Sequence, residues 1–268
     1  MIPLIASRDN AHFKALRKLV ERGRERRQSG QVILDGLHLL ETYCAQQGVP
    51  DEVLLSENGA RRPEIAAWLQ AAGNGLCVSV FSDVLFKQLS VVESPSGIMA
   101  VVRPPSPSPL AARADSVLLD GIQDPGNLGS LLRSAAAAGF CQVLLSTDCA
   151  QVWSPKTLRA AMGAHFLLSL HENVDLSAFL ATYRGKVLAT TAAAAHSLYA
   201  VELAGPLAWI FGSEGQGIRP ALLAACGERV YIPMAAGTES LNVAAAAAVC
   251  LFETRRQRSA PAASRCSG

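Results

Sequence analysis

From residue 116 to residue 252 the chain alternates short apolar runs with helix-like stretches, and this alternation restricts the fold more than any other feature. "SVLLD" (116–120) precedes a helix over 128–138, which Gly139 ends. "CQVLLS" (141–146), a helix over 154–162, "FLLSL" (166–170) and a helix over 176–183 follow. Then come "KVLATT" (186–191), "LAWIFG" (207–212), a helix over 220–225 and "RVYIPM" (229–234). Apolar runs this short, bounded by turn residues, suit strands buried on both faces. Strand and helix in alternation predict an α/β fold with a parallel sheet covered by helices. The last segment, "GTESLNVAAAAAVCLF" (237–252), turns from polar to small and apolar, and shows no polar face before Glu253. It predicts a slim helix packed closely all round.

"PPSPSP" (104–109) divides the chain, because four prolines in six residues support neither a helix nor a central strand. It reads as a semi-rigid spacer. Upstream, a helix over 10–25 places Phe13, Leu16, Leu19 and Val20 on one face. Strands at 31–36, 51–56, 76–82 and 97–103 alternate with helices at 37–46, 63–73 and 84–89, a second and smaller α/β unit. The expected organisation is residues 1–103, a linker over 104–115, a larger domain over 116–258, and a disordered tail over 259–268.

Half of the 268 residues are hydrophobic and 17% are charged, a core-forming composition. The net charge of +2 selects no partner, but its distribution does. Eight of the 24 basic residues, Arg8, Lys14, Arg17, Lys18, Arg22, Arg24, Arg26 and Arg27, lie in one short stretch. Such a cluster suits phosphate, and equally a solvated helix face. The seven cysteines are scattered without a C-x-x-C pair, and the histidines show no metal-ligand spacing, so no metal is expected. No apolar run reaches the roughly 20 residues that span a bilayer, and the start lacks a signal peptide's apolar stretch. A soluble, cytoplasmic protein is expected.

In open α/β sheets ligands bind beyond the carboxyl ends of the strands. Three segments fall there: "DGIQDPGNLGSLLRSA" (120–135), "FGSEGQGI" (211–218) and "IPMAAGTESLNVA" (232–244). The first invites a dinucleotide-binding reading, but G-x-G-x-x-G is absent, and no P-loop motif occurs.

Together, in this order, the three segments resemble the motifs of the SpoU-type RNA ribose 2′-O-methyltransferases of the SPOUT superfamily. "DPGNLGSLLRSA" supplies the family's asparagine and arginine at Asn127 and Arg133. "FGSEGQG" supplies its glutamate at Glu214, and "ESLNVA" its serine and asparagine at Ser240 and Asn242. More loosely, "ASRDNAHFKALRKL", "VILDG" and "SPSGIMAVV" are similar to the family's substrate-binding domain, which resembles ribosomal RNA-binding proteins. Ala11 stands where the family often has proline, and Asp35 where glutamate is commoner.

The resemblance implies a deep trefoil knot near the C-terminus, a homodimer, and methyl transfer from S-adenosylmethionine to RNA; the RNA is ribosomal or transfer RNA, and the separate N-terminal domain favours ribosomal RNA. It implies catalytic roles for Asn127, Arg133, Glu214, Ser240 and Asn242. The cofactor would lie near Thr190, Gly212, Ile232, Met234 and Leu241, and Arg8, Lys14, Arg17, Lys18, Arg26 and Arg27 would face RNA. A non-catalytic RNA-binding protein on the same fold is the alternative. Arg133 stands out on physical grounds too: a guanidinium within an otherwise small, apolar helix asks for a partner, either a phosphate or a carboxylate such as Glu214. Asn127 and Ser240 could each be a helix N-cap instead.

Overall fold

The structure is a computed structural model that describes residues 2–259 apart from Asn74, Ala192 and Glu239. Its first elements are β1 (Leu4–Ile5), α1 (Ala11–Glu21), α2 (Gly23–Ser29), β2 (Val32–Asp35), α3 (Leu37–Gln47), β3 (Glu52–Ser56), α4 (Pro63–Ala72), β4 (Val78–Phe81), α5 (Asp83–Leu89) and β5 (Ile98–Val102). There follow β6 (Ser116–Asp120), α6 (Pro125–Ala138), β7 (Gln142–Leu145), α7 (Pro155–Ala161), β8 (Ser169–His171), α8 (Leu176–Thr182) and β9 (Lys186–Thr190). The last are β10 (His196–Ser197), β11 (Leu207–Gly212), α9 (Pro220–Ala225), β12 (Glu228–Tyr231) and α10 (Val243–Ser259).

The described residues form two compact units: 2–106 with Gln151–Phe166, and Pro107–Ala150 with 167–259. In the first, a five-stranded sheet has the order β1-β4-β3-β5-β2, with β5 antiparallel to both neighbours. One face buries Phe13, Leu16 and Leu19 of α1 with Phe81 and Phe86. The other buries Leu40, Tyr43, Ile65 and Ile98. Leu158 and Phe166 join that second core, which is why 151–166 groups with this unit rather than with the larger domain expected to contain it. The helix expected over 10–25 is two helices. Arg22, extended at φ −122° and ψ 114°, separates them.

The second unit carries a seven-stranded, wholly parallel sheet in the order β10-β12-β9-β11-β6-β7-β8. Its central strands are buried on both faces. The strand expected over 166–170 starts later, at Ser169, because Ala164–Phe166 forms a 3₁₀ turn. Backbone from Ser108 and Ala111 bonds to Ser169 Oγ and Gln142 Oε1, so the later prolines belong to this unit's edge.

α10 packs on α6 through Ala244, Ala247, Cys250 and Leu251. Trp209 Nε1 donates to Thr254 Oγ1 at 3.0 Å and fixes the helix to β11. The expectation of burial all round is corrected here. Ala245 and Phe252 of the opposite face are exposed, since a single chain supplies only one helix for α10 to pack on. Of the expected tail, Ser259 ends α10 and the remainder lies outside the described residues. No helix among the described residues is long and apolar enough to cross a membrane.

Candidate active site

The site gathers beyond the carboxyl ends of β6, β11 and β12. β6 ends at Asp120, and Asp124 caps α6 by accepting from the Asn127 backbone N–H at 2.7 Å. Asp124, not Asn127, is therefore the N-cap, which leaves the Asn127 side chain free for other bonds. Its Nδ2 donates to Glu214 Oε1, and its Oδ1 accepts from Asn242 Nδ2 at 2.9 Å. Asn242 Oδ1 in turn accepts from the backbone N–H groups of Ala244 and Ala245, at 3.0 and 3.3 Å. The cap of α10 is thus Asn242, and Ser240 sits exposed ahead of it. One chain of amides and a carboxylate joins all three segments.

Arg133 lies on α6, six residues beyond Asn127, which is about 9 Å along the axis and a third of a turn around it. It is exposed and makes no hydrogen bond or ion pair among the described residues. The salt bridge to Glu214 weighed from sequence is absent; Glu214 is engaged by Asn127 instead.

Thr190, Ile232, Met234, Ser240 and Leu241 line one open cleft of about 160 Å³ with a mainly apolar wall. β12 stops at Tyr231, so the backbone groups of Ile232 and Met234 leave the ladder. They make no backbone hydrogen bond among the described residues. Gly212 does not line this cleft. A Cβ there would stand 2.2 Å from the carbonyl carbon of Gly217, so Gly212 permits the tight return of the second loop.

Asp120 was not singled out from sequence. It is 3% exposed, accepts from the Arg219 backbone N–H at 2.8 Å and pairs with its guanidinium at 2.7 Å. It ties the end of β6 to the far side of the second loop. A buried carboxylate closing a strand was the available signal. Burial pushes the Cys149 thiol up, and its Sγ donates to Leu119 O, so it packs as a neutral group.

In the first unit Arg8, Lys14, Arg17, Lys18 and Arg27 are exposed, with Lys14 paired to Asp9 and Arg17 to Glu21. Arg26 is the correction. It is 8% exposed and donates to Leu19 O, Val20 O and Gln151 Oε1, so it braces α1 against α2 and does not face solvent. No group of three or more His, Cys, Asp or Glu that could hold a metal occurs among the described residues.

Comparison with known proteins sets this geometry in context. The SpoU rRNA Methylase family model matches residues 115–252, and the MRM3-like substrate binding domain model matches residues 10–100. A Synechocystis protein named as an uncharacterized tRNA/rRNA methyltransferase is 37% identical, over 96% of this chain and 95% of its own. The 23S rRNA (guanosine(2553)-2′-O)-methyltransferase of Bacillus subtilis is 30% identical over 94% and 98%. A crystal structure of an RNA 2′-O ribose methyltransferase, 30% identical, superposes with a TM-score of 0.81 over 96% and 99%.

Proposed function

We infer the chemistry from one premise: this chain belongs to the SpoU rRNA methylase family. It is an RNA 2′-O-methyltransferase. The proposed substrate is ribosomal RNA, as the name of the Bacillus subtilis relative suggests. The proposed methyl donor is S-adenosylmethionine. The cleft fits its adenine end: the wall is apolar, and the backbone groups of Ile232 and Met234 beside it are unpaired among the described residues and able to bond a flat ring's polar edge. When bound, the donor supplies an electrophilic methyl group on a sulfonium.

The observation that carries the reading is Arg133, unpaired on α6 beside a fully bonded Asn127–Glu214–Asn242 chain. A guanidinium keeps its proton at any physiological pH, so Arg133 serves as a donor and not as the base. It would grip a phosphate with two N–H bonds and hold the ribose hydroxyl in line. Positioning of this kind contributes up to roughly 7–11 kcal/mol in favourable cases. Asn127, Glu214 and Asn242 would hold the three loops in register around it, with Ser240 at the mouth of the cleft.

Two further features belong to this proposal. The exposed Ala245 and Phe252, on the side of α10 away from α6, support a homodimer formed on that face. A trefoil knot near the C-terminus is proposed from membership of the family, and the other end of α10 is tied down by side chains. There Gln257 and Arg258 bond to Val201 O, Leu203 and Gly205 O, and Arg258 also pairs with Asp115. The test is incubation with methyl-labelled S-adenosylmethionine and ribosomal RNA lacking the modification, followed by nucleoside analysis. A labelled 2′-O-methylnucleoside is expected. Failure to bind S-adenosylmethionine in calorimetry would favour a non-catalytic RNA-binding role.

A further inference from the structure

The first unit contains a cleft of about 630 Å³ between α1 and the starting ends of β3 and β4. Leu16, Leu19 and Val101 lie at its apolar base. One rim carries Lys14 and Lys18, a turn apart on α1, with Lys14 paired to Asp9 at 2.8 Å; the other carries Asp51 and Glu52, and Glu25 of α2 also lines the cleft. Lys18 makes no side-chain hydrogen bond or ion pair among the described residues. Glu52 is held still: its Oε1 meets His12 Nε2 at 2.8 Å and accepts from Ser79 Oγ at 2.5 Å. Its side chain is 13% exposed, and Oε2 takes no bond among the described residues. Asp51 Oδ2 accepts from Gln31 Nε2 at 2.8 Å and is ion-paired with Arg103 Nε at 3.1 Å, which leaves Oδ1.

These rims select a ligand class. A plain polyanion would meet three carboxylates, and a plain cation two ammonium groups. A matching ligand is flat and apolar in its body, offers N–H donors at one end and carries negative charge at the other. Nucleotides have that form, and clefts of this size commonly take ligands of nucleotide size. The bases differ in their donors. Guanine presents N1–H and N2–H side by side, a match for carboxylate oxygens. Adenine and cytosine present an acceptor beside the donor, and uracil a lone N–H between carbonyls. Unstacked bases are read on this edge by side chains in single-stranded RNA.

We propose that this cleft binds a guanine nucleotide, with the base edge on Glu52 and Asp51 and the phosphate on Lys18 and Lys14. The inference needs only the first unit and does not depend on the methyl-transfer site. Its ligand could be a free nucleotide or a guanosine unstacked from single-stranded RNA.

Cys77 lines the cleft and is exposed, while Cys141, also exposed, belongs to the other unit and serves as an internal control. The full chain is titrated with the 5′-monophosphates of guanosine, adenosine, cytidine and uridine. Iodoacetamide labelling of each cysteine is read by peptide mass. Guanosine monophosphate is expected to protect Cys77 and not Cys141, and to bind about tenfold or more tighter than the other three. Ala15→Trp, on the exposed wall of the cleft, should abolish both effects with an unchanged melting temperature. Glu52→Gln should narrow the preference for guanine; should it unfold the unit, Ala15→Trp still decides. Tighter binding of the oligonucleotide UUGUU than of guanosine monophosphate identifies RNA as the source, and the reverse a free nucleotide. Absence of saturable protection, equal binding of all four nucleotides, or undiminished binding by Ala15→Trp would overturn the proposal.

Discussion

Replacing Arg133 by alanine should separate chemistry from stability. Among the described residues the side chain has no partner to leave stranded, so the melting temperature should hold while turnover falls by about 100-fold or more. Rates near wild type would remove Arg133 from the mechanism. Asn242→Ala should act differently, because the side chain caps α10 as well as bonding Asn127. A loss of about 1 kcal/mol in denaturant unfolding is expected from the cap alone, together with slower methyl transfer. In the N-terminal cluster, Lys18→Ala should weaken RNA binding and lower the salt dependence by about one ion, with stability unchanged. Arg26→Ala should instead destabilise, by about 2 kcal/mol, because it strips donors from buried carbonyls. At this scale the sequence exposed chemistry better than placement. Arg133 could be singled out because a cation interrupts small apolar neighbours. Nothing local distinguished buried Arg26 from exposed Arg27, since the Gln151 that receives it lies 125 residues away.

The pH dependence belongs to the segment carrying α7. His165 is fully buried, its Nε2 meets Val152 O at 2.8 Å, and its Nδ1 has no hydrogen-bond partner among the described residues. Burial disfavours the charged ring and lowers its pKa from 6.5 to about 4. Between those values the unfolded chain takes up a proton that the folded chain refuses. Stability contributed above pH 6.5 should therefore fall as the pH drops towards 4, by up to about 3 kcal/mol, and level off below. Urea unfolding across that range should show the slope, and His165→Phe should flatten it. Elements bounded by clear turn residues were legible: β6, β11 and α9 have the bounds read from sequence. The two-residue strands β1 and β10 were not, because so short a run carries no period. The break at Arg22 left no mark in the apolar pattern, because residues 21–29 carry no large apolar side chain whose spacing could shift, and only the backbone turns.

For the molecule as a whole, alternation along the chain gave the parallel sheet, and the proline run gave two parts. The return of 151–166 to the first unit was not legible, because it depends on Leu158 and Phe166 finding a core built much earlier in the chain. The convergence of three loops came from resemblance rather than periodicity, and the bonds among Asn127, Glu214 and Asn242 give it a physical form. The open face of α10 makes the homodimer testable. Sedimentation should find a dimer, and Phe252→Asp, which puts a charge on that face, should shift it towards monomer.

The most direct test is single-turnover methylation of unmodified ribosomal RNA with labelled S-adenosylmethionine, comparing wild type with Arg133→Ala and mapping the labelled position. The label should sit on a ribose 2′ oxygen with wild type and be lost with Arg133→Ala, although that variant still binds the donor. Label on a base, or equal labelling by the two proteins, would contradict the account.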